Sequence, residues 1–345
     1  MANARIAVFG AGLVGAYAGL RLAGPAHVVL IGRPALVEMA RKGLAVSDLS
    51  GFHRRLEPHD LEVTTDPAAL AGAQLVLVTV KSMATAEAGR AIAAHAPPSA
   101  PVLSLQNGVS NVEVLRAALP DRVVLAGMVP FNVAQPEPGR FHRGTGEGHL
   151  VVDRHPALDS FRSLFETAGL PLRPHADMRA VLWGKLLVNL NNAVNALSGV
   201  SLMEELRQRA FRQAWAWAMA EGLKLVRRAD IRPVDPLPLP LELMPSILGL
   251  PDRLYRFVVA QAGGGRARVD PLARSSMADD LAQGRPTEVD YLNGEIVRLA
   301  ERLGLGAPVN ARMVELVHAA ERGAPPWPGP ALLAELRAAR RAAAR

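Results

Sequence analysis

Short apolar runs and one longer helical stretch alternate along the first 35 residues of the chain. Residues 6–9 and 27–31 are apolar runs of the length that forms buried parallel strands. Between them, residues 13–23 are rich in Ala and Leu, and the helix that they predict is closed by Gly24 and Pro25. The pattern therefore predicts a strand–helix–strand unit.

A similar pattern continues to about residue 175 and then changes. Three more buried strands are predicted at residues 75–80, 102–105 and 123–126, with helices at 111–119 and 157–169 and extra edge strands between 139 and 152. Helical patterning follows at residues 178–197, 203–229, 246–262, 275–283, 290–303 and 310–322. We expect an α/β Rossmann-type parallel-sheet domain followed by an all-α helical domain. The expected bounds are residues 1–174 and 175–323, with a Pro- and Arg-rich tail at 324–345.

A glycine motif joins the first strand to the first helix, and its residues are Gly10, Ala11, Gly12, Leu13, Val14 and Gly15. In this setting the first Gly permits a tight turn, the second lets the backbone approach a pyrophosphate, and the third lets helix and strand pack closely. The helix N-terminus adds free N–H groups and the positive end of a dipole. The motif predicts dinucleotide binding. The alternatives are a Gly-rich turn without a ligand and a signal peptide over residues 6–20.

The end of the second strand indicates which dinucleotide is bound. An NAD site usually has Asp or Glu about 20 residues after the glycines, where the carboxylate binds the ribose 2′-hydroxyl. This chain has Gly32, Arg33 and Pro34 at that point and no acid. A guanidinium pairs well with a 2′-phosphate, so the sequence predicts NADPH as the cofactor. The alternative is that Arg33 is an ordinary solvated loop residue.

Two further polar residues stand where predicted strands end. Lys81 follows the strand at 75–80, and Asn107 follows the strand at 102–105. Ligands of an open parallel sheet bind at the carboxyl ends of its strands. We therefore expect Arg33, Lys81 and Asn107 to lie on the same edge of the sheet as the glycine motif.

An unusual group of asparagines follows Lys185 in a helix that is otherwise apolar. At about 100° per residue, Asn189 and Asn192 lie within about 40° of Lys185, whereas Asn195 lies about 80° away. Asn is a poor helix former, and a buried stripe of amides around an ammonium is costly without a polar partner. The stripe predicts a substrate site with Lys185 as proton donor. The alternative is a satisfied polar network at a domain interface.

A later polar stretch, residues 275–294, contains Ser276, Thr287, Glu288 and Asp290. Thr287 has the character of a helix N-cap, and Glu288 and Asp290 would then be the acidic residues of the first turn. Taken alone, the two acids are explained by helix capping.

The amino-acid composition excludes several kinds of functional site. The chain has no Cys, which excludes disulfides, Cys-ligated zinc, iron–sulfur clusters and a thiolate nucleophile. The nine His are scattered, so no metal site is expected. The formal net charge of +7 suits an anionic ligand, but aromatic residues are only 4% of the chain, and no nucleic-acid partner is expected. No apolar stretch is long enough to span a membrane. The absence of Cys favours a reducing compartment, and we expect a cytoplasmic protein.

These segments together resemble the ketopantoate reductase (2-dehydropantoate 2-reductase) family, from the glycine motif to about Arg322. The most specific matches are residues 183–189 (WGKLLVN) and 275–294, and residues 78–81 (VTVK) and 106–108 (QNG) are also family-like. The resemblance implies a helical domain similar to that of 6-phosphogluconate dehydrogenase. It also implies NADPH-dependent reduction of a 2-oxo acid, ketopantoate, to its 2-hydroxy acid in pantothenate and coenzyme A biosynthesis.

The resemblance further implies a role for each matching residue. Lys185 resembles the general acid that protonates the developing alkoxide, and Glu288 resembles the acid that orients the site and touches the cofactor. The implied substrate-binding residues are Asn107, Asn189, Asn192 and Ser276. The implied cofactor-binding residues are those of the glycine motif, Arg33, Lys81, Asn107 and Glu288.

One departure concerns the second substrate asparagine, which the family often places eight residues after the lysine. Ala193 occupies that position here, with Asn192 and Asn195 on either side. Asn192 has the better helical phase, whereas a small insertion would make Asn195 the equivalent. A related enzyme acting on another 2-oxo or 2-hydroxy acid therefore stays open. A non-catalytic NADPH sensor is disfavoured by the joint presence of Lys185 and Glu288, and a homodimer is compatible with the helical domain.

Overall fold

The computed structural model describes residues 4–144, 146, 148–263 and 273–343. The chain forms two compact units, Met1–Met178 and Arg179–Arg345. The boundary therefore falls after residue 178 rather than 174. Residues 324–343 belong to the second unit rather than to a separate tail, because a helix in this segment buries Leu332, Leu333 and Leu336.

Twelve strands are found in the described part of the first unit. In chain order they are β1 (Arg5–Phe9), β2 (His27–Ile31), β3 (Leu44–Asp48), β4 (His53–Leu56), β5 (Glu62–Thr64), β6 (Leu75–Val78), β7 (Val102–Ser104), β8 (Val124–Met128), β9 (Val133–Glu137), β10 (Arg140–Arg143), β11 (Leu150–Asp153) and β12 (Leu172–His175). The helices are α1 (Leu13–Leu22), α2 (Pro34–Ala40), α3 (Thr85–His95), α4 (Asn111–Ala118) and α5 (Arg162–Thr167).

The main sheet has eight strands in the order β12-β11-β8-β7-β6-β1-β2-β5. Its strands from β8 to β5 pair in parallel, while β11 runs antiparallel to β8. Every residue of β6 is buried, as expected for a parallel strand covered on both faces. The chain order reverses between β1 and β6, which makes the carboxyl end of β1 the switch point where ligands of such sheets bind.

A second, four-stranded sheet in the order β4-β3-β10-β9 was not predicted from the sequence. The Gly-rich stretch at 139–152 was expected to add strands at the edge of the sheet. Only β11 joins the main sheet, whereas β10 pairs in parallel with β3 of the small sheet. That pairing joins residues 95 positions apart in the chain, so the local sequence pattern cannot reveal it.

The described residues of the second unit form helices joined by loops, and none of them lies in a strand. Its helices are α6 (Met178–Asn189, which begins on the last residue of the first unit), α7 (Asn191–Ser198), α8 (Leu202–Arg207), α9 (Arg209–Arg228), α10 (Met244–Leu248), α11 (Asp252–Gly263), α12 (Ser276–Ala282), α13 (Asn293–Arg302), α14 (Pro308–Glu321) and α15 (Gly329–Ala342). The long α9 packs against α7, α10, α13, α14 and α15. The expected fold class, a Rossmann-type sheet followed by a helical domain, is confirmed. Among the described helices, none has the length and apolarity needed to cross a membrane.

Three predicted helices are each divided in the structure. The helix expected at 178–197 breaks at Leu190, the one expected at 203–229 breaks at Gln208, and the one expected at 246–262 breaks at residues 249–251. Gln208 has extended backbone torsions. The Arg212 guanidinium donates a 2.9 Å hydrogen bond to the Leu206 carbonyl at the end of α8. A side chain from the following helix thus satisfies an orphan carbonyl, which favours ending α8 there.

A buried ion cluster ties α1 to the small sheet in the first unit. The Asp48 carboxylate accepts a 2.8 Å hydrogen bond from Arg21 and lies 3.2 Å from the Arg143 guanidinium. Arg21 also donates to the Ala168 carbonyl, and Arg143 to the Tyr17 hydroxyl. Burial acts to raise the pKa of Asp48, but hydrogen bonds from Ser50 and Arg143 and the charge of Arg143 lower it to about 2.

We predict that Asp48→Asn lowers the free energy of unfolding of the first unit at pH 7 by about 3 kcal/mol, because two buried guanidinium groups lose their counter-charge. The pKa of Asp48 is lowered from 3.8 to about 2. Its charge therefore stabilises the fold by about 2 kcal/mol above pH 4, and this is lost as the pH falls through about 2. The difference between wild type and variant should shrink accordingly in urea unfolding at pH 7, 4 and 2.5.

The matched control is Asp159→Asn, since Asp159 forms an exposed pair with Arg162. We expect a change within about 0.5 kcal/mol for this control. An Asp48→Asn protein as stable as wild type at pH 7 would contradict the prediction.

Candidate active site

The glycine motif forms a tight turn at the carboxyl end of β1. Gly10 has a φ of +92°, and the backbone N–H groups of Gly10 and Ala11 both donate to the Ile31 carbonyl at 2.9 Å. A Cβ on Gly10 would lie 2.5 Å from the backbone nitrogen of Val80. Glycine is therefore required at position 10 by both the turn and the packing.

Gly12 and Gly15 differ in their surroundings. A Cβ on Gly15 would lie 2.3 Å from the Thr79 hydroxyl oxygen, so Gly15 lets α1 pack against the loop after β6. At Gly12 the nearest heavy atom, the Gly10 carbonyl oxygen, is 3.8 Å from such a Cβ. Gly12 is exposed and is the N-cap residue of α1, so no side chain caps the start of this helix. The protein itself leaves space there, which suits close approach of a pyrophosphate to the helix N-terminus.

The other predicted residues of the first unit lie on the same edge of the sheet. Arg33 follows β2, Lys81 lies just after β6, and Asn107 lies just after β7, at the carboxyl ends of parallel neighbours. Arg33 and Lys81 are exposed, whereas Asn107 is half-buried. The structure thus brings these three residues and the glycine motif to one edge, which we call the cofactor edge.

A buried polar network lies beneath the cofactor edge and joins two of its loops. The Asn111 amide donates to the Ser82 hydroxyl and to the Asn107 carbonyl, and it accepts from the Thr85 hydroxyl. The Gln106 amide donates to Thr85 at 2.8 Å and to the Val80 carbonyl at 3.0 Å. Lys81 and Asn107 are therefore carried on loops fastened to each other. Of the four side chains in this network, only Gln106 was indicated by the sequence as a site residue, as part of the family-like segment QNG.

In the second unit, the predicted stripe is the accessible side of α6 and α7. Lys185, Asn189 and Asn192 are half-buried, while the neighbouring Leu186 and Ala193 are at most 1% exposed. The break at Leu190 has helical torsions, so the phase of the stripe is kept from one helix to the next. Three polar groups consequently face the same side.

Asn195 is placed differently from Asn192. It is fully buried, its amide oxygen accepts from the Ser275 N–H at 2.8 Å, and its amide nitrogen donates to the Val200 carbonyl. The Ser275 hydroxyl donates to the backbone carbonyl of Asn192, and the exposed Ser276 begins α12. Asn195 therefore holds α12 against α7, and the accessible asparagine is Asn192.

Lys185 and Glu288 act on each other electrostatically. Burial lowers the pKa of Lys185 from 10.5 to about 8, and the charge of Glu288 opposes this change. Glu288 is itself 6% exposed and precedes a short 3-10 turn at Val289–Tyr291. A lysine with a pKa near 8 can hold a proton at neutral pH and still release it readily.

The segment that carries Glu288 is anchored on both sides by α14. The Thr287 N–H donates to Glu321 at 2.7 Å, and the His318 ring lies 3.1 Å from Asp290 and 2.8 Å from Glu321. Hydrogen bonds to Glu321 and Asp290 raise the pKa of His318. Asp290 therefore has a partner that the capping interpretation did not include. Sequence gave no sign of it, because His318 lies 28 residues away.

Comparison with known proteins identifies the family to which this chain belongs. Residues 6–156 match the family described as "Ketopantoate reductase PanE/ApbA", and residues 177–321 match "Ketopantoate reductase PanE/ApbA C terminal". The chain belongs to the ketopantoate reductase family. Family membership identifies it as an oxidoreductase that uses a nicotinamide cofactor.

Relatives from several organisms agree with this assignment. The 2-dehydropantoate 2-reductase of Halobacterium salinarum is 31% identical over 92% of this chain and 99% of that protein. The crystal structure of a ketopantoate reductase from Ralstonia eutropha is 31% identical, with a TM-score of 0.77 over 92% of this chain and 98% of that one. A D-mandelate dehydrogenase is 20% identical with a TM-score of 0.74 over the same 92% and 98%, and it shares the fold.

We predict that Lys185 loses its proton near pH 8 and that Glu288→Gln moves this midpoint to lower pH, because an opposing negative charge is removed. Amine-reactive labelling across a pH series, read by peptide mass spectrometry, follows each lysine separately. The exposed Lys42 and Lys224 serve as internal references. A Lys185 midpoint near the ordinary value of about 10.4 would count against the prediction.

Proposed function

We propose that this chain reduces ketopantoate to pantoate with NADPH, as a cytoplasmic enzyme of pantothenate and coenzyme A biosynthesis. The observation that carries the proposal is Lys185, with its pKa lowered to about 8 beside Glu288, on the same accessible stripe as Asn189 and Asn192. This arrangement offers a proton donor next to hydrogen-bonding amides. A 2-oxo acid needs both when its ketone is reduced.

The residues of the cofactor edge fit a dinucleotide carrying a 2′-phosphate. The open position beside Gly12 leaves room for the pyrophosphate at the N-terminus of α1. The exposed Arg33 stands after β2 where an acid would favour NAD, and Lys81 adds a second cation for the phosphates. When bound, a reduced nicotinamide supplies the hydride.

The chain's own residues then have distinct tasks. Lys185 donates a hydrogen bond to the ketone oxygen and passes it a proton as negative charge develops there. Glu288 favours the charged form of Lys185, so the proton is present at neutral pH. We assign Asn189, Asn192 and Ser276 to the substrate, and Asn107 to the substrate and the nicotinamide. The 2-oxo acid carboxylate is matched by amide and hydroxyl donors.

We predict rapid ketopantoate-dependent loss of nicotinamide absorbance with NADPH and little with NADH. Lys185→Ala should lower kcat by about 10²–10⁴-fold, the usual contribution of a general acid, with NADPH affinity unchanged. In the wild type, kcat/KM should fall as the pH rises through about 8, where Lys185 loses its proton. Lys224→Ala, a change at an exposed lysine of α9, should retain full turnover.

Arg33→Gln tests the cofactor separately. Loss of a charge-assisted contact to the 2′-phosphate should raise the KM for NADPH by about 10–100-fold and leave the KM for NADH unchanged. An equal effect on both cofactors would overturn the NADPH assignment. NADPH binding without turnover of ketopantoate would overturn the substrate assignment and direct the search to other 2-oxo acids.

We also propose that the chain is a homodimer. Leu254 and Phe257, three residues apart on α11, are 54% and 63% exposed, and Leu243 is 54% exposed. Large exposed apolar side chains of this kind mark association surfaces. A structural relative from Staphylococcus aureus, 16% identical with a TM-score of 0.67, is described as dimeric.

We predict that sedimentation equilibrium gives twice the chain mass of 36.7 kDa and that Phe257→Glu shifts the protein toward the monomer. The reason is that a carboxylate placed in an apolar interface must be desolvated. Leu305→Glu, at an exposed leucine outside this surface, is the matched control. A wild-type monomer at micromolar concentration would contradict the proposal.

A further inference from the structure

Glu205 is a buried acid that the proposed chemistry does not use. It lies in α8, its exposed fraction is 0%, and neither carboxylate oxygen has a hydrogen-bond partner among the described residues. A buried carboxylate without a partner is strongly disfavoured in its charged form. Its protonation state and its neighbours therefore need a physical explanation.

The polar groups that reach Glu205 are two side-chain amides of α7, those of Asn191 and Asn195. The amide oxygen of Asn191 is also buried without a partner. A protonated carboxyl group has one O–H donor and an acceptor oxygen. Its O–H can therefore satisfy the Asn191 oxygen, while its other oxygen accepts from the Asn195 amide. A charged carboxylate has no donor and leaves the Asn191 oxygen unsatisfied.

The charged groups around Glu205 do not compensate a carboxylate. Burial raises its pKa to about 8, and the neighbouring amides of Asn195 and Asn191 only partly oppose this. The nearby titratable side chain on α11 is Tyr255, whose own pKa is raised by burial and by the charge of Glu205. The buried Arg212 on α9 lies over the Tyr255 ring and is bound to Asp252 and to backbone carbonyls.

The two amides connect Glu205 to the proposed substrate residues. Asn195 accepts from the Ser275 N–H, and the Ser275 hydroxyl donates to the Asn192 carbonyl. Asn192 and Ser276 are thus the accessible neighbours of a buried chain of contacts that starts at Glu205. On α8, Leu202 donates its N–H to the Ala273 carbonyl, so the start of α8 is fastened to the segment before α12 as well.

We propose that Glu205 is a positioning residue for the substrate side of the site, acting as a neutral carboxylic acid that donates to Asn191 and accepts from Asn195. By fixing α7 against α12, it sets the spacing between Asn192 and Ser276. The inference rests on the proposed function, since it assigns these two residues to the 2-oxo acid.

Three variants test the proposal with ketopantoate and NADPH at pH 7. Glu205→Gln keeps one donor and one acceptor, so kcat and KM should stay within about twofold of wild type. Glu205→Leu removes both and should raise the KM for ketopantoate at least tenfold, with kcat and NADPH affinity nearly unchanged, because Lys185 and the cofactor edge are untouched. Glu221→Gln, at a half-buried carboxylate that accepts from the start of α14, should leave the KM for ketopantoate unchanged.

The pH profile separates positioning from a merely structural role. Above pH 8, both Lys185 and Glu205 lose protons in the wild type, so log kcat/KM should fall more steeply near pH 8 and end at least about one unit lower than loss of the Lys185 proton alone would take it. In Glu205→Gln only Lys185 titrates, and the slope should approach about −1. Guanidinium unfolding gives a readout independent of activity. Since native Glu205 keeps its proton between pH 4.5 and about 8 while the unfolded chain loses it, wild-type stability falls with pH over that range, and Glu205→Gln lacks this fall.

The outcomes distinguish this proposal from the proposed function. If the wild type turns over ketopantoate but Glu205→Leu has an unchanged KM, the positioning role is wrong. Equal falls in log kcat/KM above pH 8 in wild type and Glu205→Gln, or an equal rise in KM for the Gln and Leu variants, would also overturn it. If the wild type reduces no 2-oxo acid, the proposed function fails first and the substrate role of Glu205 fails with it.

Discussion

The desolvation of the Lys185 ammonium is the constraint on which the candidate site of the second unit depends. Burial alone would drive the proton away, and the negative charge of Glu288 holds it in place, so that the pKa settles near 8. This balance depends on where the Glu288 carboxylate sits. The contacts of Thr287 with Glu321 and of Asp290 with His318 fix the chain on both sides of Glu288. Helix α14 therefore supports the charge balance of the proposed catalytic pair.

The first unit meets a different constraint, which is the close approach of backbone segments at the end of β1. Gly10 and Gly15 are fixed by protein packing, whereas the space beside Gly12 is left open. The fold thus requires two of the three glycines of this motif, whereas the third lies beside open space that suits the proposed cofactor. The position of the polar residues of the cofactor edge does not depend on such packing. They lie on one side because the neighbouring strands β2, β1, β6 and β7 are parallel and end at the same edge.

Sequence patterns predicted the features that repeat locally. The buried strands follow from short apolar runs, the glycine turn from its motif, and the phase of Lys185, Asn189 and Asn192 from the helical period of about 3.6 residues. The pattern did not reveal the small sheet, the partner of Asp290 or the surroundings of Glu205, because each depends on residues distant in the chain. The helix break at Gln208 is of the same kind, since it involves a side chain of the next helix. The choice between Asn192 and Asn195 needed burial as well as helical phase.

The buried network of Ser82, Thr85, Gln106 and Asn111 fixes the distance between two loops of the cofactor edge. It joins the loop after β6 to the loop after β7, so Lys81 and Asn107 are held at a set separation rather than moving independently. If one of these residues contacts a phosphate and the other contacts the nicotinamide, their fixed separation selects a dinucleotide of matching length. A cofactor of the right chemistry but the wrong span would then satisfy one contact only at the expense of the other.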